Sequence, residues 1–265
     1  KLRRAQQRII EARPYARKMH EVLSSLALRA SPEAHPLLAR RAGTRETGGG
    51  RVGLVVIAAD KGLCGAFNSN ILRKSMDFLK ATPEAEETVT LTVVGRKARD
   101  FFRKRPYPIR SEHIHIFDKL DYTHASRLGR EIVEDYIKGD LDQVHLVYNE
   151  FKSAGVQRVV VERLLPIEPL EVEEGLAPID FIYEPSPESI LNQLLPRHVE
   201  VQIYRAMLES VAAEHGARMT AMEAATKNAG EMINSLILLY NKARQEKITK
   251  ELLDIVGGAE ALRKR

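Results

Sequence analysis

The chain has 265 residues, of which 44% are hydrophobic and 29% are charged, with one cysteine and a net charge of +5. This composition provides apolar surface for one good core with extended structure around it, or for two small domains. One cysteine excludes an intrachain disulfide framework and a multi-thiolate zinc site, and no run of 18 apolar residues occurs that could span a membrane as a helix.

Apolar residues recur at alternating steps of three and four through the first thirty positions. They are Leu2, Ala5, Ile9, Ala12, Ala16, Met19, Leu23, Leu26 and Ala30. This heptad seam predicts a coiled-coil helix over residues 1–31, and its alanines let a partner helix approach closely. We expect Pro14 to kink or open the helix and Ser31-Pro32 to end it. Because the sequence opens on Lys1 inside this pattern, we expect a preceding segment in the natural protein.

Strand and helix patterns alternate through residues 51–187. The Val- and Ile-rich run at 52–59 predicts a buried, parallel strand. Further strands are predicted at 89–94, 144–148 and 156–164, and helices at 68–79, 96–105 and 126–137. This alternation predicts an α/β domain around a mostly parallel sheet. The acidic, proline-rich stretch 166–188 is predicted to connect this domain to the last part of the chain.

Residues 188–265 form a third zone with helical periodicity. Its first seam comprises Leu208, Ala212, His215, Met219, Met222, Ala225, Ala229, Met232, Leu236, Leu239 and Ala243, and a second comprises Ile248, Leu252 and Ile255. A helix this long exceeds the usual core helix of about three turns, so we expect much of it to extend beyond the domain. The seam of the N-terminal helix and the seam of this C-terminal helix together predict an antiparallel coiled coil. Ordinary bundle helices are the alternative.

Residues 60–65 read D-K-G-L-C-G and stand between a predicted strand and a predicted helix. α/β proteins often bind phosphate groups at such a turn. The glycine spacing is G-x-x-G, and neither G-x-G-x-x-G nor a Walker A motif occurs in the chain. The favoured interpretation is a tight turn that uses glycine's backbone freedom. A nucleotide-binding α/β enzyme is the alternative.

Cysteine and histidine offer weak evidence for chemistry. Cys64 near a helix start is a candidate nucleophile, but no histidine is close in sequence and a structural role fits better. His113 and His115 are expected to share a strand face, without an acidic or cysteine ligand at metal spacing. We therefore expect no catalytic residue, cofactor or metal site.

The positive charge of the chain is concentrated in residues 1–51, and the middle of the chain is acidic. The basic residues of the first helix lack interleaved aromatic residues, so nucleic acid is not an expected partner. A solvated outer face of the coiled coil explains them, and a basic helix would suit an acidic surface on a partner protein.

The heptad pattern slips at residues 241–245, between the two C-terminal seams. Arg244 and Gln245 are therefore expected to face a partner. A guanidinium group can bind a carboxylate with two hydrogen bonds, and an amide both donates and accepts. A solvated helix face is the alternative.

The tail resembles the signature of F-type ATP synthase gamma subunits, the central-stalk family. Residues 248–259 read I-T-K-E-L-L-D-I-V-G-G-A. The family signature is I-T-x-E, an acidic residue three positions on, and G-A after three more. Segments 13–16, 60–65, 201–223 and 240–245 also resemble family segments. The resemblance covers nearly the whole chain and departs from the family at the N-terminus and over 30–50.

The resemblance implies a long antiparallel coiled coil of N- and C-terminal helices plus a Rossmann-like α/β domain. It implies a rotor subunit without a catalytic site of its own. The coiled coil would turn inside a ring of three alpha and three beta subunits, and the domain would lie against the epsilon subunit and the membrane c ring.

The resemblance also implies contact residues. Arg244, Gln245 and Thr249 match the family's contacts with the beta-subunit catch loop. Phe181, Tyr183 and Glu184 match its foot, which meets the c ring and epsilon. The paired-cysteine insertion of chloroplast members is absent. A bacterial or mitochondrial-like enzyme without thiol switching is therefore implied. The implied location is peripheral, on the cytoplasmic face of a bacterial inner membrane, with the mitochondrial matrix side as the alternative.

Overall fold

The structure is a computed structural model that describes residues 1–27, 35–39, 50–167 and 187–263. Its helices are α1 (Leu2–Ala27), α2 (Phe67–Ala81), α3 (Ala85–Thr88), α4 (Arg96–Phe102), α5 (Tyr122–Lys138) and α6 (Pro187–Arg263). Its strands are β1 (Val52–Ile57), β2 (Val89–Val94), β3 (Ile109–His113), β4 (Gln143–Phe151) and β5 (Gln157–Leu165).

The five strands form one sheet in the order β3-β2-β1-β4-β5. The first three pairings are parallel and only β4 and β5 are antiparallel. A parallel pair needs a crossover of a dozen residues or more, and only residues 152–156 separate β4 from β5, so these two strands form a hairpin. The predicted α/β architecture with a mostly parallel sheet is confirmed.

The core follows the apolar strands. All six residues of β1 are buried, as the continuous Val- and Ile-rich run predicts for a central parallel strand. Large side chains with almost no exposure include Leu54, Ile71, Phe102, Leu128 and Tyr136. Burial of such side chains contributes roughly 1.5–3 kcal/mol each before the entropy cost of folding.

Several predicted elements are longer than the sequence pattern indicated. α5 begins at Tyr122 and not at 126, because the Asp121 carboxylate accepts from the Tyr122 N–H and His124 completes a capping box. It ends at Lys138, and the next residue, Gly139, has a φ of 84° that suits a glycine C-cap. β4 extends to Phe151 because its pairing with β5 continues past the apolar run. α4, by contrast, ends at Phe102.

The chain forms two compact units, Lys1–Thr220 and Ala221–Arg265. Within the first unit α1 and α6 run antiparallel. The charge of Lys1, at the start of α1, helps to lower the pKa of His215 in α6. The charge of Arg8, further along α1, opposes the burial that raises the pKa of Tyr204, which comes earlier in α6. Ala5 and Leu208 line one cavity between the two helices. The predicted domain limits of 1–31, 51–187 and 188–265 stay a prediction.

Candidate functional site

Helix α6 is held against the end of β4 by two polar side chains. The Glu209 carboxylate accepts from the Phe151 N–H at 2.9 Å, and the Ser210 hydroxyl accepts from the Asn149 N–H at 3.3 Å. Glu209 and Ser210 are both buried. Because an unpaired buried polar group is costly, these hydrogen bonds fix the position of α6 along the strand.

An ion pair between α6 and the hairpin adds a third connection. Arg205 Nη2 lies 2.7 and 2.8 Å from the two Glu162 carboxylate oxygens, and the Tyr148 hydroxyl donates to Glu162 at 2.8 Å. Burial, reinforced by the Glu162 carboxylate, raises the pKa of Tyr148. The phenol therefore keeps its proton and remains a hydrogen-bond donor at neutral pH.

Helix α5 contacts α6 at Glu200. The Tyr122 hydroxyl donates to this carboxylate at 2.8 Å and Arg130 Nε lies 3.3 Å from it. A Cβ at Gly129 would lie 2.8 Å from the Glu200 Cγ, so glycine is what allows the two helices to approach this closely. None of these polar connections was predicted from the sequence. Their only signal was charged residues beside the α6 seam.

The 60–65 turn is closed by its own side chains. Asp60, which is buried, accepts from the backbone N–H groups of Arg96 and His115 at 2.9 and 3.1 Å. Asn68 accepts from the Ala59 N–H at 3.0 Å and donates to the Lys61 carbonyl at 3.3 Å. The Asp60 carboxylate thus connects the turn to the start of α4, which supports the interpretation of 60–65 as a structural turn.

The expectation that the turn uses glycine freedom is only partly right. Gly65 has a φ of 56°, but the other left-handed residue of the turn is Leu63, with a φ of 60°. A Cβ on Gly62 would meet nothing closer than 3.9 Å. The strict requirement for glycine lies instead at Gly95, for which the sequence motif gave no indication.

Cys64 is 1% exposed, with its sulfur 3.2 Å from the Asn68 amide nitrogen. Burial raises the pKa of the thiol, so little reactive thiolate forms at neutral pH. The structure supports the structural interpretation of Cys64.

The prediction that His113 and His115 share a strand face is wrong. β3 ends at His113, and His115 follows it in a left-handed conformation with a φ of 60°. The chain leaves the extended conformation there because Asp60 binds the His115 N–H. Over the described residues, no group of three or more His, Cys, Asp or Glu side chains is placed to hold a metal ion.

The second compact unit contains the C-terminal part of α6. Residues 222–263 are all exposed, and they include large apolar side chains at seam positions. Those seam residues are Met222, Met232, Leu236, Leu239, Ile248, Leu252 and Ile255. Two such apolar seams on an exposed helix are typical of a surface that binds a partner.

The structure places Arg244, Gln245 and Thr249 together on this exposed part of α6. Arg244 and Gln245 are adjacent, and Thr249 lies four residues after Gln245, one helical turn on. The predicted foot residues Phe181, Tyr183 and Glu184 lie outside the described residues. Among the helices that the structure describes, none is long and apolar enough to cross a membrane.

Comparison with known proteins identifies the family. The ATP synthase family model matches residues 1–262. The chain is 51% identical over 267 residues to the ATP synthase gamma chain of Anaeromyxobacter sp. (strain Fw109-5), covering 99% of this chain and 90% of that protein. It is 44% identical over 263 residues to the gamma chain of Geobacter sp. (strain M21), covering 99% and 89%.

Solved structures agree with these relatives. A chain of the Tetrahymena thermophila mitochondrial ATP synthase central stalk and c ring has a TM-score of 0.61 and 26% identity, covering 85% of this chain and 94% of that one. A chain of the Euglena gracilis enzyme, at 21% identity and a TM-score of 0.62, shows the same fold over 98% of this chain and 94% of that one. The chain therefore belongs to the ATP synthase gamma chain family.

Proposed function

We propose that this chain is the central-stalk rotor subunit of an F-type, proton-translocating ATP synthase and that it transmits torque between a membrane c ring and a catalytic alpha–beta head. The observation that carries the proposal is the division of α6. Its first part is fixed to α5 through Glu200 and to the sheet through Arg205 and Glu209, whereas residues 222–263 are exposed with apolar side chains at seam positions.

A rotor needs both properties. The fixed part makes the α/β fold and the helix turn together, and the exposed part presents a different face to each surrounding subunit. A ligand or partner shifts a conformational equilibrium only through contacts that differ between the states. An asymmetric helix at the centre of a ring supplies such contacts in turn to each catalytic subunit.

We assign the exposed residues Arg244, Gln245 and Thr249 to contact with the catch loop of the beta subunit. An exposed guanidinium suits a carboxylate on the partner, and the neighbouring amide can donate and accept. Phe181, Tyr183 and Glu184 belong, by family resemblance, to a foot that meets the c ring and the epsilon subunit. The chain would then be peripheral, on the cytoplasmic side of a bacterial inner membrane.

In this proposal ATP chemistry belongs to the beta subunits, and the gamma chain carries no catalytic site. The structural role of the 60–65 turn supports this, because Asp60 and Asn68 use their side chains to connect the turn to the start of α4 and to the end of β1. The chain contributes the geometry that makes the three catalytic sites act in sequence.

Co-expression with alpha and beta subunits tests the proposal. Native mass spectrometry of the product is expected to give a complex of three alpha, three beta and one copy of this chain. A chain that stays free of the ring, or that hydrolyses ATP alone, would overturn the proposal.

A further inference from the structure

Two loops of the α/β fold contact α6 from different sides just before its exposed run begins. One is the 60–65 turn and the other is the 152–156 connection of the β4–β5 hairpin. We call this arrangement the collar, and it consists of Gly62, Ala154, Gly216 and Arg218, together with Glu214.

On the hairpin side the backbone of α6 touches the backbone of the loop. A Cβ at Gly216 would lie 2.9 Å from the Ala154 carbonyl oxygen and 3.3 Å from the Ala154 Cα. The loop is itself held in place, because the Gln157 side chain donates to the same carbonyl at 2.9 Å. Only glycine fits this approach without a shift of backbone atoms.

On the turn side the contact is a directional hydrogen bond. Arg218 Nη2 donates to the Gly62 carbonyl at 3.1 Å and also to Glu214, one turn earlier, at 2.6 Å. The Glu214 side chain is only 10% exposed, so its charge orients the guanidinium in a site with little competing water.

The two loops contact α6 on opposite sides of the helix. At about 100° per residue, positions 216 and 218 point roughly 200° apart around the helix axis. Packed apolar helices can shift past one another by discrete steps, because side-chain ridges have more than one good fit. The Gly216 backbone contact and the Arg218 hydrogen bond, by contrast, form in only one rotational position of the helix.

We propose that the collar locks α6 against rotation about its own axis, and that torque passes there between the α/β fold and the exposed part of the helix. This inference rests on the proposed rotor function. The polar connections described above, at Glu200, Arg205, Glu209 and Ser210, come earlier in α6, whereas the collar holds its last turns before the exposed residues 222–263. The Thr220 hydroxyl adds a 3.5 Å hydrogen bond to the Ala154 carbonyl on the hairpin side of the collar.

The first test is Gly216→Ala in the assembled, membrane-reconstituted complex, with proton pumping and ATP hydrolysis measured together. We expect the complex to assemble and to hydrolyse ATP, but the number of protons pumped per ATP hydrolysed is expected to fall to about half of the parent value or less. The matched control is Gly155→Ala in the same hairpin connection, where a Cβ meets nothing within 4 Å. The control is expected to pump as many protons per ATP hydrolysed as the parent complex.

The second variant removes the hydrogen bond on the turn side. Arg218→Met combined with Glu214→Gln keeps both side-chain stems and leaves no unpaired buried charge, so it decides the question if Gly216→Ala does not fold. A parent ratio of protons to ATP in either assembled variant would overturn the collar proposal. Failure of the unmodified chain to join the alpha–beta ring would instead overturn the proposed function.

Discussion

Gly95 shows how one residue can determine a local structure. It follows β2 with a φ of 92°, and a Cβ there would lie 2.1 Å from the Ala58 carbonyl oxygen. The same residue donates its N–H to the His113 carbonyl at 2.7 Å, so it connects β1, β2 and β3 at the carboxyl ends of the strands. No side chain can be accommodated without moving the neighbouring strand.

Gly95→Ala is expected to destabilise the chain by about 3 kcal/mol or more, from the backbone clash and the left-handed conformation together. Urea unfolding of the full chain measures the effect. Gly155→Ala, at an open position, is the control and is expected to change stability by less than about 0.5 kcal/mol. Equal stability of the two variants would contradict this reading of Gly95.

His113 makes stability depend on pH. Burial lowers its pKa from 6.5, and the neighbouring Glu131 opposes this effect only in part, while Arg127 and His124 add to it. The folded chain therefore holds a neutral imidazole, and the unfolded chain takes up a proton more readily as the pH falls. The stabilisation is present above pH 6.5 and is lost as the pH falls through the lowered pKa.

We expect the urea midpoint of the chain to fall between pH 7 and pH 5, and to fall less in a His113→Gln variant. The buried amide keeps polar contacts near Arg127 but does not titrate. His35 and His215, whose pKa values burial also lowers, contribute to the dependence that remains in the variant. Identical pH profiles for parent and variant would exclude His113 as a contributor.

At the scale of elements, α5 depends on its ends as much as on its apolar face. Asp121 accepts from the backbone of the first turn and Gly139 closes the last turn, and between them lie Leu128 and Ile132, which are buried. The helix carries Tyr122 and Gly129, both of which contact Glu200 of α6. Correct placement of α5 is thus needed for the attachment of α6.

Asp121→Ala is expected to lower stability by about 1 kcal/mol because the first turn of α5 loses its cap. Asp121→Asn, which keeps the accepting oxygen, is expected to recover most of that loss. Thermal unfolding of the three chains gives the comparison. A loss as large in the asparagine variant would mean that the charge of Asp121, and not its capping oxygen, is the stabilising feature.

At the scale of the whole molecule, one helix has two different environments. In the first compact unit α6 is buried against strands and other helices, with residues such as Ile203, Met207 and Ala212 almost fully inaccessible. In the second unit its apolar seam is exposed, with Leu236 and Leu252 each more than half accessible. The apolar residues of the second unit therefore do not stabilise this chain alone, and are available to partner subunits.

Arg244→Ala combined with Gln245→Ala is expected to leave the stability of the isolated chain within about 0.5 kcal/mol of the parent, because both residues are exposed. Assembly with alpha and beta subunits, or coupling in the assembled complex, is expected to fall. Alanine at exposed Glu134 and Lys138 on α5 is the control double change. Unchanged ATPase activity and assembly would remove Arg244 and Gln245 from the contact surface.

The sequence by itself determined the terminal helices, the mostly parallel α/β layer and the family. Heptad spacing, alternating strand and helix patterns and the 248–259 motif are all local, so each can be read within a short window of residues. The contact candidates Arg244 and Gln245 were also accessible from sequence, because the slip at 241–245 interrupts a regular pattern, whereas Thr249 came from the family resemblance.

Only the tertiary structure decided which residues attach α6 to the rest of the α/β fold and which glycines are indispensable. Glu200, Arg205, Gly216 and Arg218 look like ordinary helix residues, because their partners lie 43 to 156 positions away in the chain. Gly95 likewise depends on a carbonyl of another strand. Contacts between residues far apart in sequence arise from strand order and helix placement, and no local pattern contains them.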